Sequence, residues 1–322
     1  GVSEKKGDQS LRFNNDYGVK IPNKVPNNFT LSCWVRMDAP QPPPYGRGDF
    51  RLVNFGDPEA LRGMTEHIDK QIKAQGVDLF RHDGIPPLQY WRANDTPDRQ
   101  GITEIKHIQG LLAFWDELRK RHPMLRIDIC SGGGSRNELE TLRRAVPLWR
   151  SDYAYETTGM QTLTHGMSLW IPYFGTGINT SDSYTFRSQM APANNLIWDV
   201  RRRDLDYDEC RRLLAQRRQV GQFYEGDYYP LTAHRTENDV WMAWQFDKPR
   251  TGQGVVQAFR RPNSSVTSMQ FRLRGLESRA RYTVQDLDRR KTSEMTGAEL
   301  AEDGLLITLQ KRRSSAIILY RR

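Results

Sequence analysis

Beyond position 50, apolar residues recur at spacings of three and four. Leu61, Met64, Ile68 and Ile72 share one helical face, Asp57 followed by Pro58 makes a helix start, and Gly76 makes its stop. Residues 77–80 then predict a short strand buried on both faces, because helical sequence lies on either side of it. The rhythm repeats. Thr103 is predicted to cap a helix with Ile105, Ile108, Leu112, Trp115 and Leu118 on its buried side, and a strand follows at 125–129. Further strands are predicted at 51–55, 148–150, 169–171 and 195–198, with helices at 137–145, 160–168 and 207–220. This is an α/β pattern of six parallel strand–helix units. The connection 84–101, with Trp91, Arg92, Asn94 and Asp98, is longer than a link requires and is predicted to wall a pocket.

After Tyr228, Tyr229 and Pro230 the helical period stops. Residues 240–246, 254–259, 268–273, 280–286, 305–309 and 315–320 alternate with period two between Pro, Gly and Asn turns, which predicts an antiparallel β-sandwich. Trp241 and Trp244 are expected in its core. The first forty residues also alternate, at 10–13, 18–22 and 29–36, and resemble the opening strands of a laminin-G-like, concanavalin-A-type module. That predicts an incomplete β segment over 1–40 and a proline-rich linker over 41–50. A barrel portion over 51–232 and a sandwich over 233–322 complete the predicted organisation.

Composition narrows the class only slightly. The chain has 322 residues, 37% hydrophobic and 27% charged, as expected for a globular protein of two or three units. Its formal net charge is +9, from 37 Arg and 11 Lys against 39 acidic residues. The arginines are dispersed, and the densest cluster, Arg201, Arg202 and Arg203, is followed at once by Asp204, Asp206, Asp208 and Glu209. A nucleic-acid partner is therefore not expected. No apolar run is long enough for a membrane span, so no membrane partner is expected either. Cys33, Cys130 and Cys210 have no metal-type spacing, and neither a disulfide framework, a metal site nor a cofactor is expected.

Chemistry concentrates where three predicted strands end. Residues 77–80 run into Arg81, His82 and Asp83; residues 125–129 run into Cys130, Ser131, Gly132, Gly133 and Gly134; residues 148–150 run into Ser151 and Asp152. In an α/β barrel these C-terminal strand ends carry the functional groups. The order and spacing of Arg81-His82-Asp83, the Cys-Ser-Gly-Gly-Gly run at 130–134 and Trp149-Arg150-Ser151-Asp152 resemble family 36 of the glycoside hydrolases, the melibiase group of α-galactosidases. That family carries Lys-Trp-Asp, Cys-Ser-Gly-Gly-Gly and Trp-x-Ser-Asp segments. The resemblance covers roughly residues 52–322.

The resemblance implies a (β/α)8 TIM-type barrel followed by a small β-sandwich. Because the segment at 52–59 corresponds to the neighbourhood of the family's third barrel strand, the barrel is expected to be partial here, with impaired activity. It further implies a retaining exo-glycosidase acting on terminal α-galactosides, with Asp83 as nucleophile and Asp152 as acid/base, and an α-galactoside oligosaccharide or glycan as partner. Arg81, Cys130, Gly133, Gly134, Trp149 and Arg150 are the expected substrate-binding residues. The roles suit the local sequence. Arg81 beside Asp83 favours an ionised carboxylate, whereas partial desolvation of Asp152 between Trp149 and Tyr153 would favour a protonated one. Arg81 and His82 depart from the family's Lys and Trp, and a guanidinium fork directs hydrogen bonds differently from an ammonium, which affects sugar specificity. A non-catalytic sugar-binding remnant and an α-glycosyl transferase are the alternatives. The laminin-G-like segment points to an extracellular or periplasmic location, and the pattern leaves the oligomeric state open.

Overall fold

The computed structural model describes residues 53–83, 88–153, 156–199, 201–289 and 292–322. The laminin-G-like strands expected at 1–40, the linker 41–50 and the start of the expected strand 51–55 lie outside the described residues. The chain divides into two compact units, with the boundary between Pro147 and Leu148. That boundary falls inside the expected barrel portion, not at residue 233.

In the first unit, helix α1 spans Pro58–Gln75. Asp57 caps it, Oδ1 accepting from the Glu59 and Ala60 amides, and Gly76 ends it in the left-handed region at φ 64°. Strand β1 spans Leu79–His82. Helix α2, Leu88–Ala93, sits in the stretch expected to be a loop. Trp91 is therefore core and not pocket wall: it is buried and stacks on the His107 ring at 4.3 Å between centroids. Helix α3 spans Ile102–Arg121. Thr103 does not cap it. Asp95 does so from outside, accepting from the Gly101 amide at 2.5 Å and the Thr103 amide at 2.9 Å. Strand β2, Arg126–Ile129, pairs with β1 in parallel, with Arg81 opposite Asp128. Short helices α4, Ser131–Gly134, and α5, Leu139–Leu142, follow, and Val146 bridges to Asp128 as a third parallel position. Residues 53–55 form no strand; Phe55 instead enters a core with Met64, Ile68, Ile72, Phe114, Trp115, Leu118, Ile127 and Ile129.

The second unit opens with helix α6, Thr157–Met167. The strand expected at 169–171 is a turn that exposes Leu169 and Trp170. The true strand is β3, Gly175–Ile178, fully buried and parallel to β4, Ala193–Leu196. Its glycines explain the error. A Cβ at Gly175 would lie 2.4 Å from the Leu148 carbonyl oxygen, and one at Gly177 would lie 2.7 Å from the Trp149 ring, so close packing here excludes the bulky residues that announce a strand. Helix α7, Ser183–Ser188, precedes β4, and helix α8, Tyr207–Gly221, follows it.

An antiparallel sheet domain closes the chain. Strands β5 (Asp227–Pro230), β6 (Trp241–Lys248), β7 (Gln253–Arg260), β9 (Arg281–Asp286), β10 (Thr292–Thr296) and β12 (Ser314–Arg321) form a six-stranded sheet in the order β10-β9-β12-β7-β6-β5. Strands β8 (Ser268–Phe271) and β11 (Leu305–Thr308) pair separately, and helix α9 spans Gly297–Glu302. Both faces of the large sheet are covered. Trp241, Ala243, Val256, Ile318 and Tyr320 pack with residues of β8, β11 and α9, while Met242, Trp244, Phe246, Phe259 and Leu319 pack with residues of α7 and α8. Trp241 and Trp244 are thus both core, on opposite faces.

Candidate active site

Parallel pairing of β1 with β2 sets the first group of side chains. Arg81 donates from Nη1 to Asp128 Oδ2, directly across the strand pair, and its Nη2 lies 3.8 Å from Asp83 Oδ2. One guanidinium thus serves two carboxylates. All three side chains are largely shielded, at 18% exposed for Arg81, 16% for Asp83 and 6% for Asp128, so the charges act on one another with little solvent screening. Asp128 was not among the expected site residues. It sits within an apolar strand, and only the register with Arg81 reveals its role.

His82 faces the other way, into the aromatic core. Its Nδ1 accepts from Trp115 Nε1 at 3.0 Å, and its ring lies among those of Phe55, Phe80, Phe114 and Trp115. Burial pushes its pKa down to about 4, helped by the positive fields of Arg136 and His107 and opposed by Asp83. His107 is likewise lowered to about 4 by burial and then by Arg136. Both rings are neutral near pH 7, so His82 is a packing and hydrogen-bonding group. Burial also lowers the pKa of the Arg136 guanidinium, against the opposing field of Glu138.

At the end of β2, Cys130 is buried and its carbonyl accepts from the Gly134 amide at 2.7 Å. Gly133 and Gly134 have φ of 75° and 91°, a left-handed turn that side chains oppose. The glycine run therefore makes a tight turn after β2.

The segment 149–153 lies in the second unit. Trp149 Nε1 donates to Asp152 Oδ1 at 2.9 Å, and the Tyr153 amide donates to Ser151 Oγ at 3.1 Å. These bonds fold the segment into a compact turn. Asp152 and Tyr153 are both exposed, which corrects the expected desolvation of the Asp152 carboxyl. Arg150 is also corrected as a substrate contact. It is 1% exposed, donating to Thr164 Oγ1 at 2.8 Å and the Met160 carbonyl at 2.9 Å, with its guanidinium 5.1 Å from the Phe174 ring centre. Burial lowers its pKa to about 9, so it stays a cation near neutrality and ties α6 to the segment before Asp152. Among the described residues no group of three or more His, Cys, Asp or Glu converges as a metal site, and no helix is long and apolar enough to cross a membrane.

Comparison with known proteins gives this arrangement a family. Residues 29–193 match the Melibiase family and residues 241–319 match the glycosyl hydrolase family 36 C-terminal domain. The chain is 23% identical over 264 residues to alpha-galactosidase 1 of Pediococcus pentosaceus, covering 76% of this chain and 35% of the relative. It is 22% identical to alpha-galactosidase Mel36A of Lactobacillus acidophilus, covering 87% and 40%. The chain thus spans well under half the length of these curated relatives. The fold is similar to that of a family 36 α-galactosidase, an AgaA variant of Geobacillus stearothermophilus in complex with 1-deoxygalactonojirimycin. That match has a TM-score of 0.72 at 19% identity, over 88% of this chain and 41% of the other. With its match to the first of these families running through half its length, and with a C-terminal domain of the same group behind it, this chain belongs to the melibiase family, glycosyl hydrolase family 36.

Proposed function

We propose that the chain carries the catalytic centre of a retaining α-galactosidase, with Asp83 as nucleophile and Asp152 as acid/base. The observation that carries this reading is the placement of Asp83 at the C-terminal end of a parallel strand, beside a guanidinium that Asp128 anchors. The fold proposed with it is a partial (β/α)8 barrel lacking its first strands, for which β1–β2 and β3–β4 are the candidate barrel strands. Solved relatives lend the substrate class: AgaA variants of Geobacillus stearothermophilus are described in complexes with raffinose and with stachyose.

The reaction proceeds in two displacements. Asp83 attacks the anomeric carbon of a terminal α-galactoside while Asp152 protonates the departing oxygen, giving a β-galactosyl ester on Asp83. Asp152 then takes a proton from water, which attacks the same carbon and releases galactose with its α configuration. The Arg81 guanidinium lies beside the attacking Asp83 carboxylate, its Nη2 3.8 Å from Oδ2. Trp149 orients the Asp152 carboxyl through its indole N–H. Cys130, Gly133 and Gly134 shape the wall for the sugar ring, and Arg81 reaches its hydroxyls.

Covalent labelling tests the assignment. An α-galactose-configured cyclophellitol epoxide should esterify one residue, and peptide mass spectrometry should place the adduct on Asp83. Azide separates the two roles. With an activated α-galactoside, Asp83→Ala plus azide should yield β-galactosyl azide and Asp152→Ala plus azide should yield α-galactosyl azide. A label elsewhere, or the same azide anomer from both variants, would overturn the roles.

A further inference from the structure

We propose that Tyr153 is the platform on which the leaving-group sugar stacks, a specificity-determining contact that rests on the assignment of Asp152 as acid/base. The acid must touch the glycosidic oxygen, so whatever lies beside Asp152 on its exposed side meets the aglycone and not the galactose. The residue that follows it in the chain, Tyr153, carries an aromatic ring and is 57% exposed.

Its position is built, not incidental. The Tyr153 amide donates to Ser151 Oγ, which fixes the backbone next to Asp152, and Trp149 fixes the Asp152 carboxyl from the other side. The Tyr153 ring lies directly on the first turn of α6 at Gly159. A Cβ at that position would fall 2.0 Å from Tyr153 Cε1 and 2.1 Å from Cδ1, so any other residue would displace the ring. Glycine in a helix gives up helix propensity, and here the chain accepts that loss in the turn that carries the tyrosine. The same turn is pinned independently. Glu156 caps it through the Thr158 and Gly159 amides, and Thr158 Oγ1 donates to Asn238 Oδ1 at 2.6 Å. The ring is thus held on a rigid support while over half its surface stays open. A flat aromatic surface of this kind suits the C–H face of a pyranose, and binding energy collected from the leaving group accelerates cleavage of substrates that possess one.

A pair of substrates isolates the effect. Raffinose carries a sugar leaving group, whereas α-galactosyl fluoride carries none to stack. Tyr153→Ala should lower kcat/KM for raffinose about tenfold and leave α-galactosyl fluoride within about twofold. Tyr153→Phe should keep both rates. Gly159→Ala, which leaves the ring intact but moves it, should reproduce the selective loss. Equal losses on both substrates would mark Tyr153 as merely structural and overturn the platform, as would unchanged raffinose cleavage in Tyr153→Ala. A wild-type chain that cleaves neither substrate would overturn the galactosidase reading itself and the platform with it.

Discussion

Arg81 divides its guanidinium between Asp128 on the neighbouring strand and Asp83 at its own strand end. Removing the Asp128 charge therefore has two effects. A largely buried cation loses its charged partner, a defect worth on the order of 3 kcal/mol, and the fork is freed to shift toward Asp83. Asp128→Asn should lower thermal stability and cut kcat on α-galactosyl fluoride by one to two orders of magnitude, since both carboxylate fields and geometry change. Circular dichroism melts and initial rates on the same preparation check both. Arg81 and Asp83 drew attention in the sequence because polar groups at the end of an apolar run stand out, and Asp152 because of its Trp-x-Ser-Asp segment; their roles remain part of the proposal. Asp128 was not, because an acid between two isoleucines carries no sign of what faces it. Arg150 differs: its neighbours in sequence are proposed site residues, but its side chain is buried against α6.

Among the elements, α1, α3 and α8 were legible from their apolar period, and six of the C-terminal strands from their alternation. Strand β3 was lost because its sequence is Gly-Thr-Gly-Ile, chosen for close approach to residues 148 and 149. Strand β6 carries a feature that alternation cannot announce. Asp247 is 1% exposed, with Oδ1 accepting from Tyr320 Oη at 2.5 Å, no hydrogen-bond partner for Oδ2 among the described residues, and Asp227 opposite it in the register. Burial first, and Asp227 after it, push its pKa up to about 6, against the Tyr320 hydrogen bond. A carboxyl whose folded pKa is raised contributes stability fully at pH below its unfolded value near 4, and loses it as pH rises through 6. Asp247→Asn keeps the acceptor for Tyr320 and removes the charge. It should therefore raise the unfolding free energy relative to wild type at pH 8, by up to about 2–3 kcal/mol, and bring little or no gain at pH 4. Calorimetry at the two pH values checks the sign, and a uniform shift at both would refute it.

For the molecule as a whole, the two units should answer acid differently. In the first unit, His82 and His107 are held neutral, with pKa values near 4 against about 6.5 unfolded. Their contribution is complete above pH 6.5 and is lost as pH falls towards 4. The unfolding transition of the first unit should drop by roughly 5–10 °C between pH 7.5 and pH 5, with Asp247 offsetting the acid loss in the second. Mass-spectrometric hydrogen exchange at pH 7.5 and 5, corrected for intrinsic rates, should show protection falling first in α1 and α3. The second unit has another property of scale. The sheet that contains Trp244 and Phe259 shares its apolar layer with α7 and α8, so the segment bearing Asp152 and Tyr153 belongs to the same compact body as strands a hundred residues away. In genetic terms, the target for loss of function is far larger than the chemistry. Substitutions scattered through β6, β7 and β12 would score as catalytic nulls without touching substrate, and suppressors of them would map to core volume and not to the strand mouths.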